Sequence, residues 1–294
     1  MKNNFAILGT SPIMIILAYE LMKKGNNIKI IDFREEIGGA WSYIDFENNK
    51  ISTQTNVIVP DNEFEESNIP KLNEYLIKTF NVKINENKDS FQPLGYLAKK
   101  NYDYDLRKIY KLVSDNIIPR EKIFVETISS SKYNVTINEE IIFDKVFIST
   151  YCGVSQIFID NVCIDVTPNI IVSEHALLIS KRINTNYLTY SENFDQNFDR
   201  VQIKNINNID VFTGRIRKEN KGAQVESLIK SSNLSDEKDI IKLMKFKYKN
   251  FYRDFDQRKK LKNAVKNSNI EYVNTALFVE AFFELNKKLK MLDI

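Results

Sequence analysis

Residues 5–12 read Phe-Ala-Ile-Leu-Gly-Thr-Ser-Pro, and residues 28–41 read Ile-Lys-Ile-Ile-Asp-Phe-Arg-Glu-Glu-Ile-Gly-Gly-Ala-Trp. Phe5–Leu8 is an apolar run of strand length that stops at Gly9, a residue free to make a tight turn. Pro12–Lys24 is rich in helix formers and ends at Gly25. Ile28–Ile31 is a second apolar run, closed by Asp32. Strand, glycine turn, helix, strand and acid in that order describe a βαβ unit shaped to hold a dinucleotide. Four of the chain's eight glycines, Gly9, Gly25, Gly38 and Gly39, lie within it. Clustering of that kind marks backbone that a side chain would obstruct.

The glycine fingerprint of such units, G-x-G-x-x-G, reads Gly9, Ser11 and Met14 here. The tight-turn glycine is present, and the glycines for pyrophosphate approach and close helix packing are replaced. Pro12 suits the first helical turn, where its missing N–H costs nothing. The helix N-terminus still offers N–H groups and its dipole to a phosphate, with Ser11 adding a hydroxyl. Met14 is expected to crowd the site. Asp32 follows Gly9 by 23 residues, the place for a carboxylate that accepts from ribose hydroxyls. Without further context it serves equally as the cap of the next turn.

The segment Ile30-Ile31-Asp32, Arg34 and Ile37-Gly38-Gly39 resembles the extension of FAD-binding proteins of the glutathione-reductase type, in particular the amine-oxidase and UDP-galactopyranose-mutase branches. The resemblance implies an α/β fold: a Rossmann-like FAD-binding domain, made of a parallel sheet plus a β-meander, with a second α+β substrate domain. The FAD-binding part is expected over 1–45, 117–155 and 265–294, and the substrate or cap part over 46–116 and 156–264. FAD is the implied cofactor. Gly9, Ser11, Pro12, Asp32, Phe33, Arg34, Gly38, Gly39, Ala40 and Trp41 are the implied contacts in the opening unit. The paired glycines would let the loop pass close to the ribose-phosphate. Further on, Val125 is placed against the adenine and Thr150 at the second nucleotide turn. Asn274 and Thr275 stand where a closing helix faces the flavin, although the usual glycines of that turn are absent.

The rest of the chain is read from its periodicity. Ile51 to Val59 alternates as a strand, Pro70–Phe80 and Asp105–Asn116 read as helices, and Phe91–Tyr96 as a loop. Lys122–Glu126, Tyr133–Ile137 and Asp144–Thr150 read as strands, with turns at Ser129–Ser131 and Asn138–Glu140. Short strands follow at Ile157–Ile159, Val162–Val166, Asn169–Val172 and Leu177–Ile179, then Tyr187–Tyr190 and Ile209–Ile216. Ser235–Lys266 reads as a charged helix, Ile270–Val273 as a strand, and Asn274–Leu289 as a closing helix capped at Asn274 or Thr275. Arg200 and Arg215 are candidate substrate contacts, with ion pairing to Asp195 or Asp199 as the plainer role for Arg200 and a solvated basic turn for Arg215.

Composition narrows the function. Net charge is +3, with the basic residues dispersed, which gives no reason for nucleic acid binding. Cys152 and Cys163 have neither metal nor disulfide spacing, and no apolar run approaches the ~20 residues of a membrane span. A cytoplasmic protein is expected, acting on a small molecule, with self-association left open. The one histidine, His175, lies near no nucleophile motif and is expected to be structural or solvent-exposed. No metal site is expected, and no residue stands out as a general base. The main expectation is an FAD-dependent oxidoreductase of the amine-oxidase-like superfamily. The alternatives are a mutase-like flavoenzyme acting on a nucleotide-sugar and a degenerate, non-catalytic nucleotide-binding relative. An NAD enzyme on the same unit is disfavoured by Gly38-Gly39.

Overall fold

The computed structural model describes residues 2–47, 49–52, 57–60, 62–87, 101–184, 190–192, 194–275 and 278–291. In chain order the first part runs β1 (Asn4–Leu8), α1 (Pro12–Lys23), β2 (Asn27–Ile31), β3 (Tyr43–Phe46), β4 (Asn49–Ser52) and β5 (Val57–Ile58). Next come α2 (Glu63–Phe80), β6 (Lys83–Asn87), β7 (Asn101–Asp105), α3 (Arg107–Ser114) and β8 (Arg120–Glu121). The middle is strand-rich: β9 (Thr127–Ser130), β10 (Val135–Ile137), β11 (Ile141–Phe143), β12 (Lys145–Ser149), β13 (Gln156–Ile159) and β14 (Val162–Asp165). Then follow β15 (Asn169–Ser180), β16 (Tyr190–Glu192), β17 (Phe198–Ile206), β18 (Ile209–Ile216) and α4 (Val225–Ser231). The chain closes with β19 (Ile240–Tyr252), α5 (Phe255–Ala264), β20 (Ile270–Val273) and α6 (Phe278–Met291).

Among the described residues there are three five-stranded sheets. The first is parallel throughout, in the order β20-β12-β1-β2-β8. Strand β1 sits at its centre, with β2 on one side and the much later β12 on the other. A crevice therefore opens beyond the C-terminal end of β1, at Gly9–Ser11, where such sheets take ligands. Alternate residues of β1 serve two cores. Phe5 and Ile7 join α1, α2, α3 and α6 on one face, while Ala6 and Leu8 join β9–β11 and Leu261 of α5 on the other. Helix α1 is apolar nearly all round and buries Ile13, Met14, Ile15, Ile16, Leu17 and Leu21. Each such side chain contributes about 1.5–3 kcal/mol.

In the second sheet, β11-β10-β9-β13-β14, strands β9 to β11 form an antiparallel meander and β13 joins β9 in parallel, while Asp144–Thr150 supplies β12 of the first sheet instead. The second sheet's hairpin turns at Asn138-Glu139 and Asp160-Asn161 both hold positive φ at two consecutive residues. That geometry matches the twist of paired strands, and Asn and Asp tolerate it. The third sheet, β16-β17-β18-β15-β19, is antiparallel. Its one face packs on α4; its other packs partly on β3 and β4 and is otherwise turned to the crevice.

Several sequence expectations are corrected here. Ser235–Lys266 is not one helix: it contains the thirteen-residue strand β19 and then α5. Lys245-Phe246-Lys247-Tyr248-Lys249 alternates with period two, and pairing with the whole of β15 outweighs its charge content. Asn169–Val172 and Leu177–Ile179 belong to a single strand, β15. Helix α2 begins at Glu63 and carries Pro70 within it, because Asn62 caps it through Glu65 N (2.9 Å) and three glutamates occupy its first turn. Lys122–Glu126 lies between β8 and β9 without pairing as a strand, and Ser129 and Ser130 lie within β9. The described part of helix α6 begins at Phe278, with Asn274 and Thr275 ahead of it in the chain. Thr53, Thr55, Phe91–Tyr96, residues 187–189 and Ala276 lie outside the described residues. Among the described residues no helix is long and apolar enough to cross a membrane.

Candidate functional site

The crevice beyond β1 is a cavity of about 520 Å³ bounded by the parallel sheet and the third sheet. Volumes of that size are typical of small-molecule and cofactor sites.

Its first wall grows out of the β1–α1 turn. Gly9 takes φ +106, and its N–H bonds Ile31 O at 2.9 Å. Thr10, which is fully buried, then becomes a hub. Its N–H and its hydroxyl both donate to Asp32 Oδ2, at 2.9 and 2.5 Å. The same hydroxyl accepts from Gly38 N at 3.2 Å. Asp32 Oδ1 accepts from Arg34 N at 3.1 Å. Asp32 thus holds the turn and its own following loop, and three of the four acceptor positions of its carboxylate are used. Ser11 is the N-cap of α1, yet its hydroxyl makes no cap bond; its buried oxygen has no partner among the described residues. Met14 is fully buried in the core and does not line the cavity, so the expected crowding is relieved.

At the paired glycines the structure supplies a reason internal to the protein. Gly38 has φ +103, and a Cβ there would stand 2.7 Å from the Tyr110 ring. That ring is pinned by its hydroxyl, which donates to Trp41 O at 3.0 Å. Gly39 has φ +60, and its Cβ would meet Arg34 Nη1 at 3.0 Å.

The adjoining wall comes from residues 123–125 and the loop after β12. Phe33, Phe124 and Phe251 form an aromatic trio with centroids 5.4–6.1 Å apart, and Phe33 and Phe124 stay exposed. Gly153 passes beneath, where a Cβ would meet Phe124 at 2.8 Å. The loop that carries Gly153 is held by Arg253, which is completely buried. Its guanidinium donates to the carbonyls of Thr150, Cys152, Val154 and Val166. All five of its N–H groups are thereby satisfied, with no ion pair among the described residues.

The third sheet closes the cavity with Ser173 and His175 of β15, Arg200 of β17 and Arg215 of β18. Arg215 Nε donates to both oxygens of Asp199, at 2.8 and 3.0 Å. His175 is 4 % exposed, with Nε2 3.2 Å from Ser173 Oγ and the ring edge-on to Tyr248. Burial, then the charges of Arg215 and Arg200, push its pKa down to about 3, so the imidazole is neutral near pH 7.

Most of the candidate contacts named from sequence meet at this one cavity. Gly9, Ser11, Pro12, Asp32, Phe33, Arg34, Gly38, Gly39 and Trp41 line it from the opening unit. Val125, Thr275, Arg200 and Arg215 line it from later segments. Thr150 and Asn274 do not. Thr150 is fully buried and acts as a brace: its hydroxyl accepts from Thr275 N (2.9 Å), lies 3.0 Å from Tyr272 OH, and donates to Asn274 Oδ1 (3.2 Å). The side chain of Ala40 is outside the description. His175, expected to be structural or exposed, is buried on the cavity wall. Arg215 has the local ion pair weighed for Arg200. Thr10, Phe124, Phe251 and Arg253 escaped the sequence reading; only Thr10, beside Gly9 and opposite an acid, had a local signal. No cluster of metal-binding side chains occurs among the described residues.

No protein-family model matches this chain, and no curated protein matches it in sequence. Solved structures do. A triple mutant of putrescine oxidase superposes with a TM-score of 0.65 at 9 % identity, covering 99 % of both chains. Cyclohexylamine oxidase from Brevibacterium oxydans IH-35A gives 0.65 at 7 % identity, covering 100 % of both. A putative protoporphyrinogen oxidase from Exiguobacterium sp. 255-15 gives 0.64 at 8 % identity, covering 100 % of this chain and 99 % of that one. At such identities the likeness establishes the fold: this chain is built like those oxidases.

Proposed function

We propose that this chain is a flavoprotein, an FAD-dependent oxidoreductase of the amine-oxidase-like superfamily acting on a small molecule. The observation that carries the reading is one continuous cavity running from the N-terminus of α1 and Asp32 to Trp41, Thr275 and Phe278. Ser11 is the test of fit: a buried hydroxyl with no partner among the described residues stands at a helix N-terminus, where phosphate oxygens would be met by dipole and donor together. Asp32 keeps one acceptor position for a ribose hydroxyl. Val125 and the exposed faces of Phe33 and Phe124 offer an apolar surface for a purine. The Gly38–Trp41 turn and Thr275, fixed by Thr150, would border the rest of the cofactor.

When bound, FAD would supply the redox chemistry. This chain's residues supply the rest. Thr10 keeps Asp32 and Gly38 in register, Arg253 holds the 150–154 loop, and the third sheet covers the cavity and excludes water. The domain split of 1–45, 117–155 and 265–294 against 46–116 and 156–264 goes with this proposal. Purified protein should be yellow and release FAD on denaturation. Colourless protein that takes up no added FAD would overturn the reading. FAD retained without reduction by any substrate would favour the non-catalytic alternative.

A further inference from the structure

Three neighbouring strands of the third sheet carry one cross-strand row. His175 on β15 is the register partner of Arg215 on β18, and Arg215 is the register partner of Arg200 on β17. Register partners project to the same face, with Cβ atoms about 5 Å apart. Here all three line the cavity. Like charges placed directly opposite one another destabilise a sheet. Two opposed arginines therefore gain from negative charge beside them, and Glu192 on β16 is the register partner of Arg200.

The protein supplies part of that charge through Asp199, which engages Nε of Arg215. The two terminal nitrogens of Arg215 have no partner among the described residues, and they form the fork that matches a carboxylate or phosphate. His175 adds a neutral hydrogen-bonding group instead of a third cation. Its Nδ1 is buried and has no partner among the described residues. Among the described residues lining the cavity the one carboxylate is Asp32, on the opposite wall and already engaged by Thr10 and Arg34. An ammonium group would meet guanidinium groups at this row, where Asp199 is already held by Arg215.

We propose that the row His175–Arg215–Arg200 is the recognition subsite for an oxyanion, carboxylate or phosphate, carried by the substrate. The substrate is thus an anion, in contrast to the simple amines named for two oxidases of the same fold. The word substrate rests on the flavoenzyme reading above; the subsite itself does not.

Isothermal titration calorimetry of the full chain, as purified and after addition of FAD, tests it with three probes of similar size: benzoate, phenyl phosphate and benzylamine. One or both anions should bind and benzylamine should not, and the stronger anion identifies the group. Arg200→Gln and Arg215→Gln should each weaken anion binding by roughly tenfold or more, since each removes a charged hydrogen-bond donor. Should Arg215→Gln fail to fold for want of its Asp199 pair, Arg200→Gln and the ranking of probes on unaltered protein decide the matter. Benzylamine binding more tightly than both anions, no anion binding at millimolar concentration, or anion binding unchanged in Arg200→Gln overturns the proposal. Arginine-dependent anion binding by a protein that stays colourless with FAD would overturn the flavoenzyme reading and leave the subsite standing.

Discussion

On one wall of the cavity, Gly9, Thr10, Asp32 and Gly38 are tied together by hydrogen bonds that reach across 22 to 28 residues of chain. On the other, His175, Arg215 and Arg200 meet because three strands pair, and Arg253 reaches back 87 to 103 residues to hold the loop beside them. The first wall is a local device: a turn, a helix start and an acid at a set distance. The second exists only once the third sheet has assembled. The difference teaches that a ligand cradle and the surface that faces it can obey separate rules, and each can be broken without the other.

Breaking the far wall should cost most. Arg253→Met leaves four buried carbonyls without donors and should destabilise the chain by about 3–5 kcal/mol, read as a shift of the urea midpoint. A loss below about 1 kcal/mol would mean that the 150–154 loop is held by packing alone. Gly38→Ala strikes the near wall: it combines an unfavourable φ of +103 with a clash on Tyr110 and should cost about 2–4 kcal/mol. Repeating it in a Tyr110→Leu background should recover the steric part. No recovery would return Gly38 to the role first expected of it, a close passage for the cofactor. Thr10→Val removes the hydroxyl between Asp32 and Gly38 and should cost about 1–2 kcal/mol. Its FAD retention should fall as well, because the turn and the glycine loop lose their link.

The smallest effect is one of pH and belongs to the far wall alone. His175 has its folded pKa lowered from 6.5 to about 3. Below pH 6.5 the unfolded chain binds a proton that the folded chain refuses, so stability is complete above that value and declines as pH falls. The slope is at most about 1.4 kcal/mol per pH unit. Urea unfolding between pH 7 and about pH 5, above the titration of ordinary carboxylates, isolates this group. His175→Gln should flatten the slope, and an unchanged slope would place the titrating group elsewhere.

How far each region was legible follows from the range of its contacts. The hairpin turn at Asn138-Glu139, the helix α3 with Ile109, Tyr110 and Val113 inward, and the whole opening unit were readable because their signals lie within a few turns of chain. Strand β19 was misread since its lysines suggested a solvated helix, and only its partner β15 shows which alternate residues are covered. Pro70 hid the first two turns of α2, although Asn62 and the glutamates after it carried the start signal. Gly38 was noticed for the right conformational reason, while the atoms that forbid a side chain there, on Tyr110, lie 72 residues away.

The sequence by itself determined the βαβ unit, its acid, its turn glycine and the turn at Asn138-Glu139, since spacing, periodicity and turn chemistry are properties of contiguous residues. Only the tertiary structure decided that Ser11 Oγ is buried with no partner among the described residues, that Thr150 braces Thr275 from behind the wall, and that His175, Arg215 and Arg200 stand in one row. Which strand pairs with which, and in what register, is settled by burial across the whole chain, and a shift of one residue would turn that row away from the cavity.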